Sequence, residues 1–512
     1  MSKRSVVRLT HEEASRAFVL ALSLVLTLGI PGCGSGAGIG HACELGADCA
    51  DELQCLDGVC APRCRAHLEC GDGFVCEAGT CARVESEIGD PCDRELACGP
   101  GQACLLGTVD ADANGLLDGS CQADRPGGAT GSTCAGDLDC RNGTCSLGRC
   151  TELCVESSDC PPNTACVDQP RLLGTSAPLF RGCLQSEGTL SVELTAVTPL
   201  ATVRLPVPSN ARSIALVATI NDDTQLVGAA RVVSPSGTLL YATPFSQEEF
   251  YRNPLRHQPA LGISTLVIPN TPAIALETGV YDVQVGSFFA AGGMGTAIPR
   301  ITAVYKLDDA VTLDLHFHFL RLDDHPCPLA SGLSAAAAQT DLGFQAYLDE
   351  VRRILATAGV LVGTITYGDI TQPTERPDLD GLRAQDLPRL MRLGHRPTGI
   401  NVFFTRSITP VGVQALSGGQ PGPPSTPGTR ASGIAVAMDT LCYRSFEELA
   451  RITTHQLAQY MGLFRNKEPD GALDPILDSD DAPSNLMYFS EFGGTTLSPG
   501  QAQVLRLYPG LR

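Results

Sequence analysis

Twenty of the 23 cysteines in this chain lie between Cys43 and Cys183, and no other feature restricts its folding so severely. They form five groups of four: Cys43, Cys49, Cys55 and Cys60; Cys64, Cys70, Cys76 and Cys81; Cys92, Cys98, Cys104 and Cys121; Cys134, Cys140, Cys145 and Cys150; Cys154, Cys160, Cys166 and Cys183. Intervening lengths of five, five, four and three residues recur, which marks an internal repeat. A unit of about 20 to 30 residues cannot enclose a hydrophobic core, so two disulfides per unit must close its loops instead. Four cysteines allow three pairings, and spacing does not choose among them. Zinc ribbons need CxxC pairs, and the sequence contains none. Disulfides at this density imply an oxidising compartment.

The chain has 512 residues, and at about 100 to 200 residues per domain it is multidomain. Lysine plus arginine total 36 against 56 aspartate plus glutamate, a formal charge of -20 that repels phosphate backbones and excludes nucleic acid as a partner. Hydrophobic residues at 43% and charged residues at 18% describe a folded chain, while 54 Gly, 35 Pro and no Trp favour turns and strands.

Lys3, Arg4, Arg8 and Arg16 precede the apolar run Ala17 to Ile30, which is short for a membrane span and has the form of a secretory h-region. The run ends in Ile30-Pro31-Gly32-Cys33. This resembles a bacterial lipobox, although Pro31 stands where Ala or Ser is usual. The resemblance implies a lipoprotein signal peptide at residues 1–32, lipidation of Cys33 and membrane attachment through two or more acyl chains. Ordinary cleavage nearby is the alternative, and it would leave Cys33 as a free thiol. Gly34 in place of Asp after the cysteine points to an outer-membrane lipoprotein, facing either the periplasm or the cell surface. Residues 33–42, containing GSGAGIG, read as a tether. The cysteine units at residues 43–183 resemble the short repeats of bacterial surface lipoproteins and of dickkopf-like secreted proteins, which implies a spacer or binding arm.

Between Cys104 and Cys121 the spacing widens to admit Asp110, Asp112, Asn114, Gly115, Leu116 and Asp118. Oxygen side chains at places one, three and five, glycine at six, the Leu116 carbonyl at seven and Asp118 at nine match most of an EF-type calcium loop. Cys121 holds the twelfth place, where that loop carries glutamate, so the expected calcium affinity is weak. The competing reading is a polar turn.

Residues 189–306 change to short β-branched runs: Leu190 to Val197, Ser213 to Ile220, Ala229 to Val233, Leu239 to Ala242, Ser264 to Ile268, Tyr281 to Phe288 and Ile301 to Lys306. Turn sequences separate them, the pattern of an antiparallel β-sandwich. Glu277-Thr278-Gly279-Val280-Tyr281 resembles the sandwich domains beside secreted bacterial peptidases. His257 reads as a loop histidine rather than a ligand.

Residues 311–512 alternate strand and helix: a strand Leu313 to Leu320, a helix Ala335 to Thr357, a strand Leu361 to Tyr367, then strands Asn401 to Thr405 and Gly433 to Met438. That alternation predicts an α/β sheet. A further helix starts at Ser445, capped with Glu448 three residues on, and stops at Gly462. It contains His455-Gln456-Leu457-Ala458-Gln459-Tyr460-Met461-Gly462-Leu463-Phe464-Arg465, followed later by Ser484-Asn485-Leu486-Met487-Tyr488. These segments resemble the zinc helix HExxHxxGxxH and the Met-turn of metzincin metallopeptidases, in the pappalysin-like bacterial branch. The resemblance implies a metzincin-like fold for this domain.

In that family two histidines and a third beyond the glycine bind zinc, and the glutamate beside the first takes a proton from metal-bound water. Here those places hold His455, Gln459 and Arg465, with Gln456 for the glutamate and Met487 in the turn. An amide carbonyl is a poor zinc ligand, a guanidinium repels a cation, and an amide is no general base. No catalytic set is intact. Zinc is therefore expected to be absent, calcium is the one expected cofactor, and the domain should bind peptide or protein partners without cutting them. The alternative is an active metallopeptidase with non-standard ligands. The strand pair His316 and His318 could chelate, but reads better as packing. Cys327 and Cys442, the cysteines left over, are expected to join.

Overall fold

The computed structural model describes residues 42–44, 48–50, 53–56, 59–70, 73–94, 97–194, 196–244, 247–371, 378–380, 385–468, 471–489 and 493–512. The signal peptide, Cys33 and nearly all of the tether lie outside the described residues. The chain divides into two compact units after Val84, so the boundary falls inside the cysteine repeats. The first unit holds the groups beginning at Cys43 and Cys64; the second holds the other three and everything after them.

Every cysteine group has the same connectivity, first to third and second to fourth. The pairs are Cys43–Cys55 and Cys49–Cys60, Cys64–Cys76 and Cys70–Cys81, Cys92–Cys104 and Cys98–Cys121, Cys134–Cys145 and Cys140–Cys150, Cys154–Cys166 and Cys160–Cys183. The ten expected bridges are present, and the pairing that spacing left open follows from hairpin register. In each group the third and fourth cysteines sit directly opposite on an antiparallel hairpin, as Cys55 opposite Cys60 and Cys166 opposite Cys183 do. Opposed residues point to one face, so both sulfurs reach the incoming segment that carries cysteines one and two.

Four groups also place an acidic residue immediately before the second cysteine. The carboxylates of Asp48, Glu69, Asp139 and Asp159 accept the backbone N–H of Glu44, Arg65, Ala135 and Val155, at 2.9, 2.6, 2.8 and 2.9 Å. In each case the donor is the residue after the first cysteine, and Ala97 replaces the acid in the third group. Charge-assisted bonds of this kind stiffen a loop that has little apolar area to bury. Part of the chain's negative charge is thus structural.

In residues 189–306 two antiparallel sheets face each other. One runs Thr189–Leu194, Arg300–Lys306, Ser213–Thr219, Ile263–Ile268; the other runs Thr202–Val207, Gly279–Phe289, Gln225–Val233, Leu239–Ala242, with Ala260–Leu261 beside Gln225–Val233. Leu190, Leu216 and Tyr305 from the first sheet and Leu205, Val232 and Tyr281 from the second share one core, which makes the pair a sandwich. The strand Thr202–Val207 was not anticipated, because Arg204 and Pro206 interrupt its apolar pattern; it lies at a sheet edge, where proline is tolerated. His257 lies in an irregular segment between Arg252 and Ala260, as expected, but it is not a surface residue. It is 1% exposed, its Nε2 accepts the Ala229 N–H at 3.0 Å, and its Nδ1 pairs with the Thr265 carbonyl at 3.1 Å. Burial pushes its pKa down to about 4, so it packs as a neutral ring.

Nor is the last cysteine group a free spacer. Val167 and Leu184 from its hairpin belong to the sandwich core, and Asp168 accepts the Ser209 N–H on its carbonyl while donating its own N–H to Ser209 Oγ.

Residues after Thr312 form a five-stranded sheet in the order Leu361–Asp369, Thr312–Phe319, Ile400–Thr405, Ile434–Ala437, Ala415–Ser417. The first four are parallel and the last is antiparallel. Leu313, Leu315, Phe317 and Phe319, spaced by two, join the helices Leu342–Thr357 and Phe446–Tyr460 in the largest core. The first helix begins at Leu342, not Ala335: Asp341 caps it by accepting the Phe344 N–H, and Ala337–Gln339 form a separate 3₁₀ turn. Cys327 and Cys442 are joined as expected.

A buried cation ties the sandwich to the loop after the second helix. Arg256 is 1% exposed, donates Nη2–H to the Leu473 carbonyl at 2.6 Å and stands 4.9 Å from the Tyr251 ring centroid. Glu468 lies 3.9 Å from it, and burial raises nearby Asp474 to about 6. The segment that carries Arg465 and Glu468 is therefore held from below by the sandwich.

Candidate functional site

The site is organised by the helix Phe446–Tyr460. Ser445 accepts the Glu448 N–H at 3.3 Å and Glu448 accepts the Ser445 N–H at 3.0 Å, the reciprocal cap that the sequence predicted. The helix ends at Gly462, whose φ of +111° is a backbone conformation that L side chains rarely adopt. The nearest atom to a Cβ there is 3.7 Å away, so glycine is required by conformation and not by space. The turn buries Leu463 and Phe464 and brings Arg465 out beside the helix.

Residues Ala482 to Tyr488 close a second turn directly against His455. The imidazole Nδ1 donates to the Leu486 carbonyl at 2.7 Å, because a carbonyl can only accept. This bond fixes the tautomer and leaves Nε2 with the lone pair. Met487 is fully buried next to it, its N–H held by Asn485 Oδ1 at 2.8 Å. Asn485 in turn exchanges amide bonds with Gln501, which is also buried, on the helix Pro499–Arg506. Burial, helped by the guanidiniums of Arg451 and Arg465 and opposed by the Leu486 bond, pushes His455 down to about 4.

His455, Gln456 and Arg465 line one cavity of about 220 Å³ with Arg451, Gln414 and Ala415, and with Tyr488 and Phe489 after the turn. Three of the five residues read from the motif are thus gathered at one opening. Gln459 is instead buried in the helix packing, and Met487 lies beneath in the core. The sequence reading missed Arg451, although it stands four residues before His455 on the same helical face. It could not have found Gln414 and Ala415, which the sheet edge brings in.

The arrangement does not fit zinc. Among the described residues lining the cavity, His455 is the one imidazole, and two guanidiniums share the space with it. His316 and His318 do not supply the missing ligands. His316 pairs with Thr366 Oγ1 at 2.8 Å and the Thr398 carbonyl at 2.6 Å; His318 pairs with Asn401 Oδ1 at 2.9 Å and stacks on Phe403. Both are packing residues.

In the Asp110 loop the carboxylates turn inward. Asp110 accepts the N–H of Asn114 at 3.1 Å and of Gly115 at 2.8 Å, Asp112 accepts that of Asn114 at 3.1 Å, and Asp118 accepts that of Ala111 at 2.6 Å. Asn114 Oδ1 accepts the Leu116 N–H at 2.7 Å, and Gly115 takes φ +90°. Cys121 is committed to its bridge with Cys98 and offers no oxygen.

No family model matches the chain. No curated protein matches it. Protein YXIM from Bacillus subtilis, a solved structure, is 13% identical over 42% of this chain and 49% of its own, with a TM-score of 0.13. A structure of infectious bursal disease virus, Gt strain, is 14% identical over 28% of this chain and 38% of its own, with a TM-score of 0.14. The chain spans less than half the length of either structure.

Proposed function

We propose that the chain is a lipid-anchored envelope protein whose C-terminal domain descends from a metzincin peptidase and binds a peptide or protein partner without cutting it. The observation that carries the reading is the cavity at His455. One imidazole, an amide in the position of the general base and two guanidiniums face a space that in an active zinc enzyme holds a cation. The sheet supports the ancestry: four parallel strands, an antiparallel edge strand at Ala415–Ser417, and the motif helix beside that edge. An extended peptide would add to such an edge through main-chain bonds. Two measurements test this on the purified chain: zinc content by elemental analysis, and incubation with unfolded protein. Substoichiometric zinc and intact substrate are expected. Proteolysis abolished by a chelator and by His455→Ala would instead establish the active-enzyme alternative.

The loop Asp110, Asp112, Asn114, Leu116 and Asp118 is proposed to take calcium. The support is the inward set of side-chain oxygens around Gly115; the missing twelfth ligand puts the dissociation constant at roughly 0.1 to 1 mM. Titration calorimetry with calcium chloride should give that range in the native chain and lose it in Asp110→Asn. No heat at about 10 mM calcium would sink the proposal.

Cys33 is proposed as the lipid anchor. No described helix is long and apolar enough to cross a membrane, a fact that by itself leaves attachment open. Cys33→Ser should move the protein from the membrane fraction to the soluble one. A serine variant that still sediments with outer membranes after a salt wash argues against lipidation.

A further inference from the structure

We propose that the cavity beside His455 is a carboxylate receptor, and that the partner peptide is one presenting an aspartate or glutamate side chain to Arg451 and Arg465. This inference rests on the peptide-binding reading above and names what the site selects. Arg451 and His455 are one helical turn apart, and Arg465 returns to the same opening after Gly462. Among the described residues that line the cavity, the charged side chains are the guanidiniums of Arg451 and Arg465, in a chain whose net charge is -20.

Chemistry decides between ligand classes. A metal ion would meet two fixed positive charges, whereas a carboxylate can take parallel N–H bonds from a guanidinium. Arg465 is already half engaged, with Glu468 at 3.5 Å, which shows the geometry in which its guanidinium meets a carboxylate. The remaining walls suit the stem of an acidic side chain: Val413 and Phe489 are apolar, Tyr488 is aromatic, and Phe489 is 38% exposed. Ala415 contributes to the same lining and begins the last strand of the sheet. A peptide paired along that strand would therefore pass its side chains over the opening, and alternate residues would point into it.

The test uses two capped seven-residue peptides of alternating valine and threonine, identical except for a central glutamate or glutamine. Their binding to the full chain is read by fluorescence anisotropy at low and high salt. The glutamate peptide should bind at least about tenfold more tightly, since bonds to charged groups are the strong ones. That preference should vanish in Arg465→Gln, survive in part in Arg465→Lys, and shrink as salt rises. Equal binding of the two peptides, or an undiminished preference in Arg465→Gln, overturns the carboxylate receptor and leaves peptide binding standing. Failure of both peptides to bind, or their cleavage, overturns the peptide-binding reading and this inference with it.

Discussion

A chain carrying Gln459→His and Arg465→His should bind one equivalent of zinc, where the native chain is expected to bind less than stoichiometric zinc. The expected gain is large because each change acts twice. Gln459 does not line the cavity, but it lies buried one helical turn beyond His455, so an imidazole there is on the same side of the helix and can turn toward the ring of His455. Arg465→His supplies a third nitrogen from beyond Gly462 and also removes a guanidinium that now depresses His455. The tautomer is already suitable: Nδ1 of His455 is bound to the Leu486 carbonyl, which leaves Nε2 as the donor atom and orients the ring from behind. Arg451 still faces the opening, so Arg451→Gln on this background should tighten zinc further. Gln456→Glu would add a general base, although catalysis also needs supporting contacts around the ligands. Elemental analysis and a zinc titration read the result, with circular dichroism as the check on folding. A folded double variant that takes up no zinc would count against metzincin ancestry, because the spacing of the three places is the core of that reading.

Parts of this molecule were legible because the controlling interactions are local. The cysteine spacing implied small stapled units, the alternation of Leu313, Leu315, Phe317 and Phe319 implied a strand, and Ser445 with Glu448 implied a cap. Each of these depends on neighbours within a few residues. Disulfide connectivity was not legible, since it follows from which cysteines stand opposite on a hairpin. The start of the helix at Leu342 was misplaced because the alanine-rich stretch before Asp341 has helical propensity, while the cap itself sets the boundary. The burial of the loop residue His257 was hidden for a related reason. Its ring fills a gap in hydrogen bonding inside the sandwich, and only the packed sheets create that gap.

The candidate site divides along the same line. The frame His455, Gln456 and Arg465 could be read from one helix and its glycine turn, and these three do converge. Arg451 was available from helical periodicity alone and was overlooked because the motif begins at His455. The bond from His455 to Leu486 and the approach of Ala415 depend on docking between segments far apart in sequence, for which no periodicity gives a signal.

Reduction should unfold the cysteine arm and leave the sandwich and the α/β sheet standing. Each arm bridge closes a short segment, with sequence separations of 10 to 12 residues in most pairs and 23 in Cys98–Cys121 and Cys160–Cys183. Loops of that length are worth about 3 kcal/mol apiece by restricting the unfolded chain. Two such contributions per unit exceed what units with so little enclosed apolar surface can replace. The outcome should be graded along the arm. The groups at Cys43 and Cys64 rely on their own bridges, whereas the last hairpin also buries Val167 and Leu184 in the sandwich core. The α/β domain loses Cys327–Cys442, which spans 115 residues, yet keeps the core of Phe317, Phe344, Tyr347 and Phe404 that holds its helices to the sheet. Limited trypsin digestion after dithiothreitol should therefore cut at Arg63, Arg65 and Arg83 first, then within the later groups, and leave a fragment of the sandwich and α/β domains. Uniform digestion of the whole chain at one rate would mean that these domains depend on the arm's disulfides as much as the arm does.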